Sequence, residues 1–265
     1  MKNVYQKKIL QWENNKLSDT TLGLIVEEPL SIRVNGQPYA VIMRTPGEEI
    51  PHAAGFCLSE GIIDKPDDFT TIASCEDGDT NVVTITLSEG RRKKIPGILE
   101  RKRYLSQTSC GICGKEMVQD ICRMVSPPSK REKIELSRVY TCLMSLPEHQ
   151  ILRKKTRAVH AASIHTSTYD FVTMAEDVGR HNAVDKAIGK IFLKKRMDEA
   201  FLLVLSSRIS FELVQKAARA GIQVIVAYSR PTELAIQVAE KNQMTLMSRS
   251  GNDGFHIFCS PPDIF

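Results

Sequence analysis

Several features that would place this chain in a specialised class are missing. No apolar run approaches the ~20 residues that a membrane-spanning helix needs, and residues 1–12 are polar and mildly basic, without the apolar region of a signal peptide. Trp12 is the only tryptophan, and aromatic residues make up 6% of the chain. No repeat or low-complexity tract is visible. We therefore expect a cytoplasmic protein that needs neither a membrane nor a nucleic acid as its partner.

Paired cysteines are also scarce. The chain has seven cysteines among 265 residues, an odd number in a chain large enough to fold without disulfides, so the sequence does not indicate a disulfide framework. Cys110 and Cys113 form a C-x-x-C pair, but no second pair completes a four-ligand zinc site, so a metal centre is not the favoured interpretation. Cys57, Cys122 and Cys259 lie in apolar segments and are expected to be small buried hydrophobic residues.

The pair at Cys110 and Cys113 is the most informative feature that is present. It lies in a glycine-flanked segment, residues 108–114, which favours a loop that exposes sulfur. Such a pair can carry electrons, a metal ion or a transferable sulfur atom. Zinc binding and dithiol redox catalysis stay open, whereas the flanking glycines and the charged approach in mid-chain favour a persulfide carrier.

Most of the excess positive charge is local. The chain has a formal net charge of +5, and two basic runs, residues 91–94 and 101–103, come directly before the paired cysteines. A charge run is commonly a solvated face or a mobile loop. Its functional interpretation is attraction of an anionic ligand or an acidic partner to the sulfur atoms.

The first part of the chain has strand and turn signals. Residues 21–44 read as a β-hairpin around Asn35-Gly36, residues 51–60 as a short helix, and residues 81–87 as a strand. A further helix is predicted at 115–125. We divide the chain into a β-rich portion (1–108), the cysteine loop and its helix (109–130), and an α/β cofactor-binding domain (131–265).

The second half alternates between strand and helix signals. Residues 159–168 and 171–175 resemble paired strands. The remaining predicted elements are strands at 201–205, 224–227, 244–248 and 255–258, and helices at 180–195, 210–220 and 231–242. This alternation favours an α/β fold with a mainly parallel sheet, in which ligands bind where the strands end.

Polar residues follow three of these strands. Ser206, Ser207 and Arg208 precede one predicted helix, Ser229 stands before the next, and Arg249 lies in a third loop. Backbone N–H groups at such turns suit phosphate, and an arginine adds a forked donor, although serines also serve simply as helix caps. Together the loops predict a phosphorylated ligand.

The densest polar cluster occupies residues 176–186, between a strand and a helix. Asp177 or Asn182 is a candidate cap for that helix, but capping does not require Arg180 and His181 beside them, so we favour a binding site. His160, in the strand-like run 157–162, is either a core histidine or a ligand-binding residue.

At these residues the sequence resembles the FdhD family, accessory sulfurtransferases of molybdenum- and tungsten-dependent formate dehydrogenases. The resemblance covers nearly the whole chain, and the stretch 177–186 is its most specific part. The motifs that carry it are residues 28–36, 43–47, 54–56, 59–63, 109–114, 176–186, 207–222 and 231–235.

The resemblance implies a function and a fold. Family members are sulfurtransferases that accept persulfide sulfur from a cysteine desulfurase and pass it to the molybdenum bis(molybdopterin guanine dinucleotide) cofactor, which is then inserted into the formate dehydrogenase catalytic subunit. The carrier position maps to Cys110, with Cys113 beside it. The larger domain is expected to be similar to cytidine deaminases, and members are homodimers.

Cofactor contacts are expected in the C-terminal half. The residues concerned are His160, Arg180, His181, Asn182, Ser207, Arg208, Ser229, Met247, Ser248, Arg249, Ser250, Gly251 and Asn252. The chain departs from the family pattern before His160, at Ser207 and at Arg230. Deamination is not implied, because His160 is followed by Ala161 and Ala162 rather than by the His-x-Glu of zinc deaminases.

Two other functions are compatible with the residues: a nucleotide-cofactor binding chaperone without sulfur chemistry, and a dithiol oxidoreductase with a reversible Cys110–Cys113 disulfide. The sequence does not distinguish molybdenum from tungsten, nor does it name the client enzyme.

Overall fold

The computed structural model describes residues 3–74, 81–95, 132–251 and 253–265. The strands are β1 (Val4–Glu13), β2 (Lys16–Ile25), β3 (Glu28–Val34), β4 (Gln37–Arg44), β5 (Phe69–Ser74), β6 (Val82–Leu87), β7 (His160–His165), β8 (Phe171–Asp177), β9 (Leu202–Leu205), β10 (Val224–Ala227), β11 (Thr245–Ser250) and β12 (Gly254–Cys259). The helices are α1 (Glu49–Ser59), α2 (Glu89–Lys94), α3 (Leu136–His149), α4 (Ile151–Thr156), α5 (Arg180–Leu193), α6 (Phe211–Arg219) and α7 (Glu233–Lys241).

A four-stranded sheet in the order β4-β3-β6-β5 forms the N-terminal β-rich portion. The predicted hairpin is confirmed from residue 28 onward: β3 and β4 pair antiparallel around Asn35 and Gly36, whose positive φ angles of 51° and 78° suit a tight hairpin turn. Residues 21–25 belong instead to β2 and pair with β1. Along β3 the side chains of Leu30, Ile32 and Val34 alternate into the core, so one face of this sheet is buried and the other faces solvent.

A six-stranded sheet in the order β12-β11-β10-β9-β7-β8 forms the larger unit. Strands β9, β10 and β11 are parallel, whereas β8, β7 and β12 join antiparallel, so the sheet is mixed and the prediction of a mainly parallel sheet is wrong. The cause is local, since β7–β8 and β11–β12 are joined by short loops, which connect only antiparallel strands. The similarity to cytidine deaminases stays a prediction.

Helices cover both faces of the larger sheet. On one face, Val139, Leu143 and Leu146 of α3 form a hydrophobic cluster with Val204 and Val226 of the sheet. On the other face, helices α1, α5, α6 and α7 contribute to a cluster that also contains the inner face of the four-stranded sheet. The two sheets therefore share one hydrophobic core, with helices between them.

Helices α1 and α5 cross in close contact at two glycines. A Cβ atom built on Gly55 would lie 1.9 Å from the carbonyl oxygen of Asp185, and one on Gly189 would lie 1.8 Å from that of Pro51. No real Cβ atom fits at such distances, so the approach of the two backbones depends on glycine at both positions. This contact fixes α5, whose first turn carries Arg180 and His181.

The structure also contains elements that the sequence did not predict. Strands β1 and β2 form a separate two-stranded hairpin, and α3 and α4 precede β7. The predicted helix at 115–125 lies outside the described residues. No helix in the described part of the chain is long and apolar enough to cross a membrane.

Candidate functional site at the carboxyl-terminal edge of the larger sheet

Strand register brings the predicted loops to one edge of the sheet. Leu205 at the end of β9 pairs with Ala227 at the end of β10, and Ala227 pairs with Ser248 of β11. The loops that start at Ser206 and Tyr228, and the last residues of β11, therefore lie side by side. This is the edge at which a parallel sheet holds its ligands.

His160 reaches the same edge of the sheet from an antiparallel strand. It does not end a strand but begins β7, which runs antiparallel to β9 and pairs Ala162 with Leu205. His160 also pairs with Asp177, the last residue of β8, so the turn that leads into Arg180 lies there as well. The antiparallel strands thus add His160, Arg180 and His181 to the loops of the parallel strands.

Cationic side chains crowd this edge. Burial lowers the pKa of His160, and the nearby positive charges of Arg180, Arg153, His181 and Arg208 lower it further. The pKa of Arg180 is also lowered, first by burial and then by Arg208. Side chains that raise one another's electrostatic energy in this way favour an anionic ligand between them.

Arg180 and Arg249 each keep a buried donor unused. The Nε atoms of both side chains are buried and have no hydrogen-bond partner among the described residues. The guanidinium of Arg249 lies 6.0 Å from the centroid of the Tyr228 ring, and the buried hydroxyl of Ser248 beside it also lacks a described partner. Buried donors in folded proteins are almost always paired, so both arginines fit a ligand oxygen.

The carboxylate of Glu212 lies beside these cationic side chains. His181 Nε2 lies 3.3 Å from both Ser210 Oγ and Glu212 Oε2. The hydrogen bond from His181 is the main cause that lowers the pKa of Glu212 to about 2, and Ser210 adds to it. Glu212 therefore stays ionised in the working pH range and holds the His181 ring in place.

The serines of the two loops differ in their availability. The Oγ of Ser206 accepts a hydrogen bond from Ala161 N at 2.8 Å, and Ser207 Oγ is 2.9 Å from the carbonyl oxygen of Arg208, so both hydroxyls hold the loop in shape. Ser207 is buried, whereas Arg208 and Ser229 are exposed at the edge. Ser229 and Arg208 are thus free to reach a ligand.

The residues of the last predicted cofactor-binding segment, 247–252, differ in how deeply they are buried. Met247 is a fully buried residue of β11 whose side chain packs in the α3 cluster, so it contributes to the core rather than to a ligand surface. Arg249 and Ser250 are half-buried and Gly251 is exposed, with a positive φ of 53°. Asn252 lies outside the described residues.

Most of the polar cluster at 176–186 is a structural network rather than a ligand surface. The buried Asp177 carboxylate accepts hydrogen bonds from Thr45 N at 3.0 Å and Gly179 N at 2.8 Å, and pairs with Lys186 Nζ at 2.6 Å. Lys186 also donates to the Thr45 carbonyl at 2.7 Å. These contacts fasten the loop after β4 to the turn before α5.

Asn182 belongs to the same network. Its amide nitrogen donates to Met43 O at 2.8 Å and to Asp177 Oδ1 at 2.9 Å, and the residue is buried. The structure therefore gives Asn182 a supporting position behind Arg180 and His181. One turn further on, Asp185 pairs with Lys216 Nζ at 2.8 Å and accepts from Ser59 Oγ at 2.8 Å.

The first basic run contains a residue that is not on the surface. Arg91 is 8% exposed and donates to the carbonyl oxygens of Gly61 at 2.6 Å and Ile62 at 2.8 Å, and it forms an ion pair with Asp64. Its expected role in attracting a partner is therefore a misassignment. The rest of the run in α2 is exposed, and residues 101–103 lie outside the described residues.

The described cysteines are poor nucleophiles. Burial raises the pKa of Cys142 and of Cys259 to about 11, and Cys57 is fully buried. The expectation of burial is confirmed for Cys57, and Cys259 is half-buried. Cys75, Cys110, Cys113 and Cys122 lie outside the described residues. In the part of the chain that the structure covers, no three His, Cys, Asp or Glu side chains are grouped to hold a metal ion.

A cavity that the sequence did not reveal lies along the free edge of β8. It has a volume of about 560 Å³ and is bounded by β8, by the loop Pro46–Gly47–Glu48, and by His149, Lys186 and Lys190. Lys190 closes part of the strand edge by donating to the Met174 carbonyl at 2.6 Å. No sequence motif could have indicated it, since its walls are distant in the chain.

Comparison with known proteins decides the family. A family model described as FdhD/NarQ matches residues 25–265. The chain belongs to the FdhD/NarQ family. It is 36% identical over 259 aligned residues to the sulfur carrier protein FdhD of Streptomyces avermitilis, covering 91% of this chain and 89% of that protein. It is 38% identical over 245 residues to the FdhD of Mycolicibacterium paratuberculosis, covering 89% of each.

The same family extends to distant relatives. The chain is 32% identical over 236 residues to the sulfur carrier protein FdhD of Sulfurisphaera tokodaii, covering 88% of both proteins. The fold is similar to a crystal structure described as a formate dehydrogenase accessory protein from Desulfotalea psychrophila. That comparison has a TM-score of 0.78 at 22% identity and covers the whole of both chains.

Proposed function

We propose that this protein is a sulfurtransferase of the carrier type, which takes persulfide sulfur from a cysteine desulfurase and passes it to the molybdenum bis(molybdopterin guanine dinucleotide) cofactor. The observation that carries the proposal is family membership over residues 25–265, with curated relatives named sulfur carrier proteins at 36% and 38% identity. The sulfurated cofactor then serves a formate dehydrogenase catalytic subunit.

Cys110 carries the sulfur. Its thiolate attacks the outer sulfur of the donor's persulfide, the donor S–S bond breaks, and the donor cysteine leaves as a thiolate while Cys110 becomes a persulfide. Cys113 assists release: its thiolate attacks the inner sulfur of Cys110, a Cys110–Cys113 disulfide forms, and hydrosulfide leaves for the acceptor. Both steps balance without an outside oxidant, and exchange with a cellular thiol returns the Cys110–Cys113 disulfide to two thiols before the next cycle.

The state of the described cysteines supports this assignment. A carrier needs a thiolate at neutral pH, but burial raises the pKa of Cys142 and Cys259 to about 11. Cys57 is fully enclosed by the core. These three thiols are therefore unsuited to accept sulfur, and among the four cysteines that remain (Cys75, Cys110, Cys113 and Cys122) the glycine-flanked C-x-x-C pair is the preferred carrier.

The cofactor is the substrate that receives the sulfur, and we place its phosphate groups at the carboxyl-terminal edge of the larger sheet. The donor set there fits phosphate oxygens, because Arg180 and Arg249 hold buried Nε atoms without described partners and Arg208 and Ser229 are exposed nearby. His181, held by Glu212, adds a fifth donor, and His160 lines the same edge. Asn182 and Met247 support this surface from below.

The carrier works between partners in the cytoplasm, as a homodimer. The exposed side chains of Arg92, Lys93 and Lys94 project from α2 toward solvent and suit an acidic partner surface. A cysteine desulfurase and a formate dehydrogenase subunit are the proteins that it must meet in turn.

Intact mass spectrometry tests the sulfur step. The purified protein is incubated with a cysteine desulfurase and cysteine, and we expect one added sulfur atom that is absent from Cys110→Ala and present in the matched control Cys142→Ala. Loading of Cys113→Ala should be normal, with slower release. A chaperone without sulfur chemistry would gain no sulfur, and a dithiol oxidoreductase would show only the loss of two hydrogens; either result would reject the proposal.

A further inference from the structure

The cavity along β8 is built differently from the candidate site. Its volume of about 560 Å³ lies within the ~300–1,000 Å³ of ordinary ligand pockets. One wall is a strand edge, because β8 is the last strand of the six-stranded sheet and, in the described part of the chain, pairs with β7 alone. A free strand edge offers main-chain donors and acceptors rather than the cationic side chains of the candidate site.

The strand register shows which main-chain groups of β8 face the cavity. Ser206 N donates to Ala161 O at 3.1 Å, so the main-chain groups of Ala161, and of Ser163 two residues along, point toward β9. Their partners on β8 are Glu176 and Met174. The N–H and C=O groups of Glu176 and Met174 therefore point away from β7, to the free edge.

Two hydrogen bonds at this edge agree with that alternation. Lys190 Nζ donates to the carbonyl oxygen of Met174 at 2.6 Å, and Val178 N, two residues beyond Glu176, donates to Thr45 Oγ1 at 3.0 Å. Among the described residues nothing accepts from the N–H groups of Met174 and Glu176, and nothing donates to the Glu176 carbonyl. Two consecutive outward positions of the strand are thus open to a ligand.

The spacing of these groups selects an extended peptide. Outward positions of an antiparallel strand lie about 7 Å apart, which is two residues at ~3.4 Å each. The main chain of an extended peptide repeats its own C=O and N–H groups at the same interval. Addition of a strand to an open sheet edge is an established way in which proteins bind extended peptides.

The side walls of the cavity favour a particular peptide. On the side of α3, the Phe171 ring stacks on His149 with a centroid distance of 4.5 Å, and Ile151 lies beside them. Phe171 and Ile151 are 46% and 63% exposed. On the side of α5, the wall is the ion pair between Lys190 and Glu48. Because a strand directs alternate side chains to opposite faces, a matching peptide has apolar residues at every second position.

We propose that an extended segment of the formate dehydrogenase catalytic subunit, with apolar side chains at alternate positions, binds along β8 as a seventh strand. The inference rests on the proposed function and names a docking surface for its client. Strand β8 ends at Asp177, which pairs with His160, so the bound segment runs up to the edge where we place the cofactor. Lys190 has Glu48 as a second partner and stays paired when the peptide takes the Met174 carbonyl.

Peptide binding to the full-length protein tests the proposal. Fluorescently labelled, overlapping synthetic peptides that cover the catalytic subunit are titrated and followed by anisotropy, with a second set from the cysteine desulfurase for comparison. We expect a catalytic-subunit peptide to bind with a micromolar dissociation constant. In the complex, amide hydrogen exchange measured by NMR should slow at least roughly tenfold at Met174 and Glu176. The amides of Thr173 and Ala175, which face β7, should change little and serve as internal controls.

Two pairs of variants separate the main-chain contact from the apolar contact. Met174→Pro removes an outward N–H but no ladder bond to β7, and proline is tolerated at such positions of edge strands, whereas the control Met174→Leu keeps the N–H. Ile151→Ser removes an exposed apolar contact, and its control Ile257→Ser changes an exposed residue of β12, far from the cavity. Met174→Pro and Ile151→Ser should each raise the dissociation constant roughly fivefold or more, and the controls less than roughly twofold. If Met174→Pro does not fold, Ile151→Ser and the exchange data still decide.

Binding without protection of the Met174 and Glu176 amides, or an equal loss in a variant and its control, would overturn the β8 edge as the docking surface. Protection by desulfurase peptides alone, or no binding by any catalytic-subunit peptide, would overturn the client as its occupant. Sulfur loading measured by mass does not involve β8, and Met174→Leu and Ile151→Ser should load normally. Failure of this docking surface and failure of the proposed sulfur transfer are therefore distinguishable.

Discussion

Replacing Arg180 by glutamine should weaken ligand binding without weakening the fold. Arg180 is half-buried at the carboxyl-terminal edge of the sheet, and Arg208 lies near enough to lower its pKa. Its Nε has no hydrogen-bond partner among the described residues. Removing the charge removes the repulsion from Arg208 and also a weaker attraction to Glu212, so we expect the free energy of unfolding to change little.

The loss of binding can be ranked against that of Arg208. A charge-assisted hydrogen bond to phosphate contributes about 1.5–3 kcal/mol, so Arg180→Gln should raise the dissociation constant of GDP roughly 10- to 150-fold. Arg208 is exposed, where solvent and salt screen its charge, and pairs in such places contribute about 0.2–1 kcal/mol. Arg208→Gln should therefore raise the dissociation constant less than roughly fivefold.

Isothermal titration with GDP and ADP measures both effects, and a thermal melt of each variant follows the fold. The site is expected to prefer GDP, because the proposed cofactor carries guanine nucleotide arms. The reasoning fails if Arg180→Gln binds GDP as the wild type does, if Arg208→Gln has the larger effect, or if Arg180→Gln lowers the melting temperature, since that would give Arg180 a structural role.

Three other predictions concern stability and charge. Gly55→Ala should lower the free energy of unfolding by about 1–3 kcal/mol or more, because its Cβ would lie 1.9 Å from a backbone oxygen of α5. Gly90→Ala, which has open space around its Cβ, should instead raise the free energy of unfolding by about 0.5–1 kcal/mol. Equal effects of the two variants in urea unfolding would contradict the close helix crossing. Burial lowers the pKa of His165 to about 4, so the unfolded chain takes up its proton first as the pH falls. Stability should therefore drop by about 3 kcal/mol between pH 6.5 and 4, and His165→Gln should flatten this slope in pH-dependent melts; an unchanged slope would reject the assignment. Arg91→Gln should destabilise the fold, while Lys93→Gln should leave it unchanged and only slow association with an acidic partner at low salt, which stopped-flow binding would measure.

Local signals in the sequence were sufficient for the elements that line the site. The strand at 224–227 was predicted at its observed bounds, and the helices at 180–195 and 210–220 begin within a residue of α5 and α6. These segments combine clear periodicity with caps or breakers. The convergence of the loops after β9 and β10 followed from topology alone.

Long-range partners were not predictable in this way. The stretch 176–186 was interpreted as a binding site, with Asp177 as a candidate helix cap. Asp177 and Lys186 instead bind Thr45, which lies 132 positions before Asp177, and nothing local indicates that contact. For the same reason, the burial of Arg91 could not be predicted from its position in a basic run, since its partners Gly61 and Ile62 are distant in the chain. Composition cannot separate a charge that is paired by the fold from one that is left free for a ligand.

The N-terminal hairpin of β1 and β2 was missed because the turn between its strands was not recognised. Asn14 and Asn15 both adopt positive φ angles, 50° and 60°, which asparagine tolerates in a tight hairpin turn. Its strands lack the alternation of a half-buried sheet, since both faces of the outer half are exposed. In contrast, α3 had a readable pattern in Val139, Cys142, Leu143 and Leu146, spaced at three, four and seven residues.

The central claim is that one protein takes sulfur on Cys110 and delivers it to a cofactor held at the edge of the larger sheet. The most direct measurement follows radiolabelled sulfur from cysteine, through the desulfurase and this protein, onto the isolated molybdenum cofactor. We expect transfer by the wild type, no loading of Cys110→Ala, and normal loading but poor transfer by Arg180→Gln. Label reaching the cofactor at the wild-type rate with Cys110→Ala would contradict the account.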